Sequence, residues 1–257
     1  MAGFSVDGLT LHYEARGSGQ PVVLLHGFTS TCESWERLGW LDLLAGSGFE
    51  ALALDFRSHG RSDRVYESSA CTTERLAADV VALLDHLGLE RASLFGFSMG
   101  GGVALRLAMH EPERVVSLVV GGVGDSALNE LHDPGAISEL VAAFSSPPED
   151  VPEGTNAARI RRNAELAGND LRALLPFLQH GGWPGGLDRV SPVPAPVLLL
   201  RAEADEYMAP ADGLVRWLSP TRTLVAGGRG HHDVLSDPAV KGEVVAFLRA
   251  GQRAESW

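Results

Sequence analysis

Positive charge, cysteine and long apolar runs are all scarce in this sequence. The 257 residues include 33 Asp and Glu against 21 Lys and Arg, and Lys241 is the single lysine. A net charge of -12 is repelled by a nucleic-acid backbone or an anionic lipid surface, which disfavours both as partners. No apolar run has the length of a membrane span. We therefore expect an acidic, soluble globular protein, with its surface charge serving solubility.

Cysteine and histidine give no sign of a disulfide framework or a metal site. Cys32 and Cys71 are too few and too far apart for either. His231 and His232 are adjacent, which is not the spacing of metal ligands. The segment Met1–Asp7 lacks the basic and apolar regions of a secretory signal. We expect a cytoplasmic protein without cofactor or metal, either a monomer or a homodimer.

Apolar runs that indicate strands alternate with helical periodicity along most of the chain. Residues 21–25, 92–97 and 115–120 are apolar apart from Ser93 and Ser117, which is typical of strands buried on both faces of a parallel sheet. Helical patterns between them indicate βαβ units. An alternating segment over residues 4–15 turns at Asp7-Gly8 and predicts an opening hairpin. The sequence therefore predicts an α/β fold with a mainly parallel central sheet flanked by helices.

The alternation stops between residues 125 and 191. This proline-rich segment has no strand pattern, and its periodicity predicts helices over residues 137–144 and 155–178. It is longer than a connection between two strands of one sheet needs to be. We expect a small helical cap or lid over 125–191, inserted between two parts of the core at 1–124 and 192–257.

The pentapeptide Gly96-Phe97-Ser98-Met99-Gly100 joins a predicted strand to a predicted helix. Glycine at 96 and 100 allows the strand and the helix to approach closely around a sharp, strained turn at Ser98. The turn lifts the Ser98 hydroxyl clear of the sheet, at the positive end of the following helix. For this segment alone, a glycine-rich turn that only packs tightly is the alternative.

Two more polar residues complete a possible catalytic set. A serine hydroxyl is a weak nucleophile, so it needs a base and a third group that orients the base. In an open parallel sheet, catalytic groups gather where strands end, and Ser98, Asp205 and His231 each follow a predicted strand. Serine, acid and histidine follow one another along the chain in the order that is typical of a catalytic set on such a sheet. The backbone N–H groups of Phe28 and Met99 are candidate donors to a charged intermediate.

Five segments, in this order, resemble the α/β-hydrolase superfamily and especially its compact, cap-bearing serine hydrolases. They are His26-Gly27-Phe28, Asp55-x-Arg57-x-x-Gly60-x-Ser62, Gly96-x-Ser98-x-Gly100, Asp205 and Gly230-His231. The resemblance covers nearly the whole chain except the expected cap. It implies Ser98 as nucleophile, His231 as base and Asp205 as acid, with the Phe28 and Met99 amides as the oxyanion hole.

Alternatives remain for two of these roles. Asp125 is a rival of Asp205 for the acid, because some members of the superfamily carry the acid after that earlier strand. Glu203, close to Asp205 in the sequence, is another rival. Ala202 also stands where the superfamily often has a glycine. His232 is the rival of His231, although the resemblance places the base directly after Gly230.

The remaining polar and aromatic candidates have supporting roles in this interpretation. We expect His26 to hold the oxyanion loop through hydrogen bonds, and His59 either to lie at the surface or to pack within a loop. Asp55, Arg57 and Arg61 are expected to form one cluster that braces a loop. Four aromatic residues are candidates for either an acyl pocket or the core: Trp35, Phe144, Phe177 and Trp183.

The resemblance implies hydrolysis of small carboxylic esters, thioesters or lactones through an acyl-enzyme. Relatives that open epoxides or remove halogens use an aspartate as nucleophile, so those activities are disfavoured here. C–C bond hydrolysis and cofactor-free perhydrolysis are alternatives that use the same three residues. A ligand-binding receptor module with vestigial activity is an alternative of another class, and the intact set of catalytic residues argues against it.

Overall fold

The computed structural model describes residues 2–127, 134–179, 193–205, 207 and 211–254. The strands in this part of the chain are β1 (Ala2–Val6), β2 (Leu9–Gly17), β3 (Gln20–Leu25), β4 (Phe49–Leu54), β5 (Ala92–Phe97), β6 (Val115–Gly121), β7 (Val197–Ala202) and β8 (Arg222–Ala226). They form one sheet in the order β1-β2-β4-β3-β5-β6-β7-β8. Strand β2 is antiparallel to both of its neighbours, and all other pairs are parallel. The mainly parallel α/β sheet is therefore confirmed.

The hairpin that opens the sheet turns at Asp7-Gly8, as predicted. Both residues have positive φ, 52° and 80° respectively, which a two-residue turn matched to the strand twist requires. Val6 and Leu9 face each other directly across the turn. The hairpin gives the parallel sheet an antiparallel edge.

The helices are α1 (Glu33–Arg37), α2 (Trp40–Gly46), α3 (Thr73–His86), α4 (Met99–His110), α5 (Pro134–Ser145), α6 (Asn156–Leu166), α7 (Leu171–Gln179), α8 (Asp212–Leu218) and α9 (Pro238–Ala254). Among the described residues, no helix combines the length and apolar character needed to cross a membrane. Helices α5, α6 and α7 lie between β6 and β7 in the chain, and we call them the inserted helices.

The prediction of a single helix over residues 155–178 is wrong, because the segment forms two helices, α6 and α7, with a turn between them. The N–H of Gly168 donates to the carbonyl of Glu165, and the N–H of Asn169 donates to that of Ala164. This pair of hydrogen bonds is the Schellman motif, which needs a left-handed residue after the helix. Gly168 supplies it with φ +73°. Gly168 therefore ends α6, although the apolar periodicity of the sequence continues past this residue.

Apolar side chains fill both faces of the sheet. On β3, Val23 and Leu25 pack in the layer that contains α3, α4 and the inserted helices. Val22 and Leu24 point to the other layer, with α2 and α9. Successive side chains of a strand point to opposite faces, so a strand covered on both sides is apolar throughout. This arrangement confirms the physical basis on which the sequence predicted buried strands.

A buried ion pair joins the loop after β4 to helix α3. The Arg57 guanidinium donates through Nε and Nη2 to the two carboxylate oxygens of Asp79, at 2.7 and 2.5 Å. Their side chains are 3% and 0% exposed. The expectation that Arg57 joins Asp55 and Arg61 in one cluster is therefore wrong. Asp55 instead accepts backbone N–H groups, including that of Arg61.

We expect Asp79→Ala to lower the free energy of unfolding strongly, because it leaves the Arg57 charge buried without its partner. Losses of this kind are about 3–5 kcal/mol. The measurement is urea unfolding followed by circular dichroism. The matched control is Asp85→Ala on the same helix, which removes a pair with Arg114 in which the Asp85 side chain is 63% exposed. An exposed pair contributes about 1 kcal/mol or less, so equal losses in the two variants would contradict the prediction.

Candidate active site

Ser98 lies in a strained turn between β5 and α4. Its φ and ψ are +54° and -120°, a conformation that residues with side chains rarely adopt and that costs about 1–3 kcal/mol. Its N–H donates to the carbonyl of Gly121 at 2.8 Å, and its carbonyl accepts from Gly101 and Gly102. The surrounding hydrogen bonds hold Ser98 in the conformation that the pentapeptide predicts.

Two glycines make the turn possible. A Cβ atom added to Gly96 would overlap with the carbonyl of Gly100, and one added to Gly100 would overlap with the carbonyl of Leu25 at the end of β3. Backbone atoms cannot move aside as a flexible side chain can. The close approach predicted from the sequence is therefore confirmed, and it also brings α4 against the end of β3.

Asp205 and His231 form a buried hydrogen-bonded pair. Asp205 follows β7 and His231 follows β8, and Nδ1 of His231 lies 2.8 Å from Oδ2 of Asp205. The other oxygen, Oδ1, accepts the N–H of Tyr207 at 2.9 Å. An ionised carboxylate can only accept, so Nδ1 carries the proton and Nε2 is left with a lone pair. The imidazole is thus oriented as a base.

The rival candidates have other partners. Asp125 accepts the N–H of Leu214 in the first turn of α8 at 2.7 Å. Glu203 accepts the N–H of Gly228. His232 is exposed, with Nε2 at 3.4 Å from the Tyr207 hydroxyl. Of the three acids considered, Asp205 is the one that is hydrogen-bonded to His231.

Ser98 and His231 line the same cavity, whose volume is about 540 Å³. Within the described residues, no hydrogen bond joins the two side chains. Catalytic hydrogen bonds are often long in unliganded sites and tighten when substrate binds. The volume lies within the usual range for small-molecule sites, about 300–1,000 Å³.

One wall of the cavity is a face of α6. Its residues are spaced as neighbours on a helix surface: Arg159, Ile160, Asn163 and Leu166, with the C-cap residue Ala167 beside them. Residues in and next to α1 form another wall, and Trp35 is among them. Phe144 and Phe177, the other described acyl-pocket candidates, pack against Phe28 with ring centroids 6.0 and 6.2 Å away and are not part of the lining. Trp183 lies outside the described residues.

His26 fixes the loop that follows β3. Its Nδ1 donates to the carbonyl of Gly27 at 2.8 Å, and its Nε2 accepts the N–H of Phe56. Because a backbone N–H is a donor only, Nε2 must be the unprotonated nitrogen. Burial lowers the pKa of His26 to about 4, so the ring stays neutral at physiological pH. The expected role of His26 in holding this loop is thus supported by both of its hydrogen bonds.

His59 holds the same loop from the other side. Its Nε2 lies 2.5 Å from the carbonyl oxygen of Phe28, and the ring is fully buried. Burial, with a smaller contribution from nearby His26, lowers the pKa of His59 to about 3. A neutral ring has one N–H, and the short contact assigns that proton to Nε2. Nδ1, which lies 3.0 Å from the carbonyl oxygen of Arg57, is then the unprotonated nitrogen. Of the two positions predicted for His59, packing within a loop is confirmed and a surface position is wrong; the contact with Phe28 was not predicted.

Phe28 and Met99, the expected oxyanion residues, both follow residues that lie at the Ser98 turn. Phe28 lines the cavity next to Gly27, whose Cα points at Ser98: a Cβ there would lie 3.3 Å from the serine Cβ. Met99 directly follows Ser98 and begins α4, so its N–H is one of those at the helix N-terminus without an intrahelical partner.

Three residues that could act as metal ligands are buried near the loop after β4. His12, Cys32 and Asp55 place ligand atoms within 4.8 Å of one another. Both oxygens of Asp55 already accept backbone N–H groups, from Cys32 and Arg61. Burial, reinforced by nearby Asp55, raises the pKa of the Cys32 thiol far above its ordinary value. A thiol must lose its proton to bind a metal, so these contacts suit a structural brace.

Comparison with known proteins agrees with the observed fold. Residues 20–146 match the family model of the alpha/beta hydrolase fold. The chain is 28% identical over 258 residues to a protein of Bacillus subtilis (strain 168) with the provisional name 2-succinyl-6-hydroxy-2,4-cyclohexadiene-1-carboxylate synthase, and the match covers 91% of each. It is 35% identical over 115 residues to epoxide hydrolase 2 of Siraitia grosvenorii, covering 45% of this chain and 36% of that protein.

Solved structures share the same fold. One from a study of carboxylesterases of Nitrososphaera gargenis has a TM-score of 0.78, with 98% of this chain and 100% of that chain covered at 17% identity. That identity is too low to transfer an activity, so the likeness concerns the fold. Together with the glycine-flanked turn at Ser98 and the match to the family model, it shows that the chain has the α/β-hydrolase fold.

Proposed function

We propose that this chain is a serine hydrolase that cleaves small carboxylic esters, thioesters or lactones through an acyl-enzyme. The observation that carries the proposal is the buried His231–Asp205 pair on the cavity that also contains strained Ser98. A chain that only bound ligands would gain nothing from an oriented base beside a strained serine. A hydrolase needs both.

In the proposed reaction, Ser98 Oγ attacks the substrate carbonyl while Nε2 of His231 takes its proton. Asp205 holds the imidazole in the right tautomer and stabilises the imidazolium that forms. The N–H groups of Phe28 and Met99 bind the negative oxygen of the tetrahedral intermediate. His231 then protonates the leaving alcohol or thiol, and a water molecule that it activates releases the acyl group.

The residue at position 98 favours ester over epoxide chemistry. The similarity to an epoxide hydrolase covers less than half of this chain. The resemblance to such enzymes implies an aspartate nucleophile, whereas this chain has a serine. A serine nucleophile leads to an acyl-enzyme when the substrate has a carbonyl carbon.

A second candidate is a non-hydrolytic reaction that uses the same residues. It is favoured by the Bacillus subtilis relative, which is named as a carboxylate synthase and is similar over 91% of both chains. C–C bond hydrolysis and perhydrolysis are further alternatives that use the same three residues. A wild-type protein that is folded but inert to all esters would favour this candidate.

We further propose that the inserted helices act as a cap, because α6 supplies one wall of the cavity.

A cytoplasmic location is supported by Cys32 and Cys71, which are buried and unpaired. The proposed partner is a small ester-like molecule.

We expect Ser98→Ala and His231→Ala each to lower kcat on p-nitrophenyl esters by about 10⁴–10⁶-fold, because each removes a member of one catalytic unit. The double variant should lose little more than either single one. The measurement is initial rates on a series from acetate to decanoate, with Ser236→Ala, at an exposed serine, as the control. Wild-type rates in Ser98→Ala would refute the nucleophile.

Labelling with a fluorophosphonate probe separates an enzyme from a receptor. An activated serine is expected to react, and mass spectrometry should place the adduct on Ser98. The adduct should be absent from Ser98→Ala. A wild type that is folded yet neither labelled nor active on any ester would contradict the proposed function.

We expect Asp205→Asn to lower kcat by about 10⁴-fold, because an amide no longer fixes the reactive tautomer of His231. The matched controls are Asp125→Asn and Glu203→Gln at the rival acids, which should retain near wild-type kcat. The measurement is kcat on p-nitrophenyl acetate, which shows which of the three acids the reaction needs. If Asp125→Asn were inactive and Asp205→Asn active, the assignment of the acid would be wrong.

A further inference from the structure

Asn169 connects the inserted helices to two loops of the core. It lies between α6 and α7 and is 7% exposed. Its Oδ1 accepts the N–H of Gly60 at 2.9 Å, in the loop after β4. Its Nδ2 donates to the carbonyls of Thr29 and Ser30, at 3.2 and 3.5 Å, in the loop after β3. One side chain thus joins three segments that are far apart in the sequence.

The partners fix the orientation of the Asn169 amide. Gly60 offers a donor and therefore faces the amide oxygen, whereas Thr29 and Ser30 offer acceptors and face the amide nitrogen. An aspartate has nearly the same shape but no donor, so its oxygens would face two carbonyl oxygens. The site therefore distinguishes an amide from a carboxylate.

The Thr29 and Ser30 carbonyls belong to the same turn as Phe28. The N–H of Ser30 donates to the carbonyl of Gly27 at 3.0 Å, which closes the turn over residues 27–30. The Gly27 carbonyl and the Phe28 N–H belong to one peptide group. A shift of the turn therefore rotates the proposed oxyanion donor.

Two other contacts tie this turn to the same surroundings. The Phe28 ring packs against Phe144 of α5 and Phe177 of α7. The Phe28 carbonyl is 2.5 Å from His59, the neighbour of the Gly60 that Asn169 binds. Contacts with the inserted helices and with the loop after β4 therefore converge on one turn.

We propose that Asn169 is a positioning residue for the oxyanion hole, through which the inserted helices set the direction of the Phe28 N–H. The inference rests on the proposed function, in which this N–H stabilises the tetrahedral intermediate. Catalytic rate then depends on how the inserted helices are docked, even for an ester too small to touch them.

The experiment compares Asn169→Asp with wild type on p-nitrophenyl acetate, a small ester. Misplacing a catalytic group by about 1 Å, or losing one oxyanion donor, reduces kcat by about 10²-fold or more. We expect a loss of about 10²-fold in Asn169→Asp and about 10-fold in Asn169→Ala, with KM nearly unchanged. The alanine variant introduces no buried charge, so it keeps the test valid if the aspartate variant does not fold.

The matched control is Tyr66→Phe. The Tyr66 hydroxyl donates to Asp170 at 3.1 Å, so this variant removes a hydrogen bond between the core and the residue that follows Asn169. It leaves the turn at 27–30 untouched. We expect wild-type kcat in Tyr66→Phe, and an equal loss in both variants would overturn the proposal.

Inhibition by phenylboronic acid gives a readout that fold stability does not affect. The boron forms a tetrahedral adduct with the serine hydroxyl, with an oxygen in the oxyanion hole, and so imitates the intermediate. We expect its Ki to rise in proportion to the loss of kcat/KM. Variants with a lower Tm but wild-type kcat and Ki would overturn the positioning role. A wild type inert to both ester and boronate would instead refute the proposed function.

Discussion

The site depends on the close contact between the start of α4 and the end of β3. Glycine at position 100 allows backbone to meet backbone there, and the Gly100 N–H donates to the carbonyl of His26 at 3.1 Å. This contact places the turn that carries Ser98 beside the turn that carries Phe28. Without it, the serine and one of its two proposed oxyanion donors would belong to separate parts of the sheet edge.

Buried neutral histidines stabilise this arrangement at a cost in acid. His26 and His59 stay neutral in the folded chain because burial lowers the pKa of each, whereas in the unfolded chain each takes up a proton near its ordinary pKa of about 6.5. The unfolded state therefore binds more protons as the pH falls from about 6.5 towards 4. The two rings that hold the loop after β3 thus reduce the stability of the fold in that range.

The sequence was sufficient to predict whatever depends on local pattern. Continuous apolar runs predicted the buried strands, and the glycines around Ser98 predicted the strained turn. The break between α6 and α7 was missed, because the apolar periodicity continues through Gly168, although Leu166-Ala167-Gly168 carried the signal of a helix end. Asn169 could not be predicted, because its partners at positions 29, 30 and 60 are remote in sequence. No pattern marks an amide for such contacts before the fold is known.

The Schellman motif at the end of α6 also fixes how the cavity-facing residues of this helix are rotated relative to Asn169. The helix face that lines the cavity and the amide of Asn169 are separated by a set number of residues, and each residue turns an α-helix by about 100°. Deleting one residue within α6 would rotate its cavity-facing side chains away or carry Asn169 off the core loops. A substitution in this wall leaves that spacing unchanged, whereas a deletion does not. Helix length is constrained by a hydrogen bond made outside the helix.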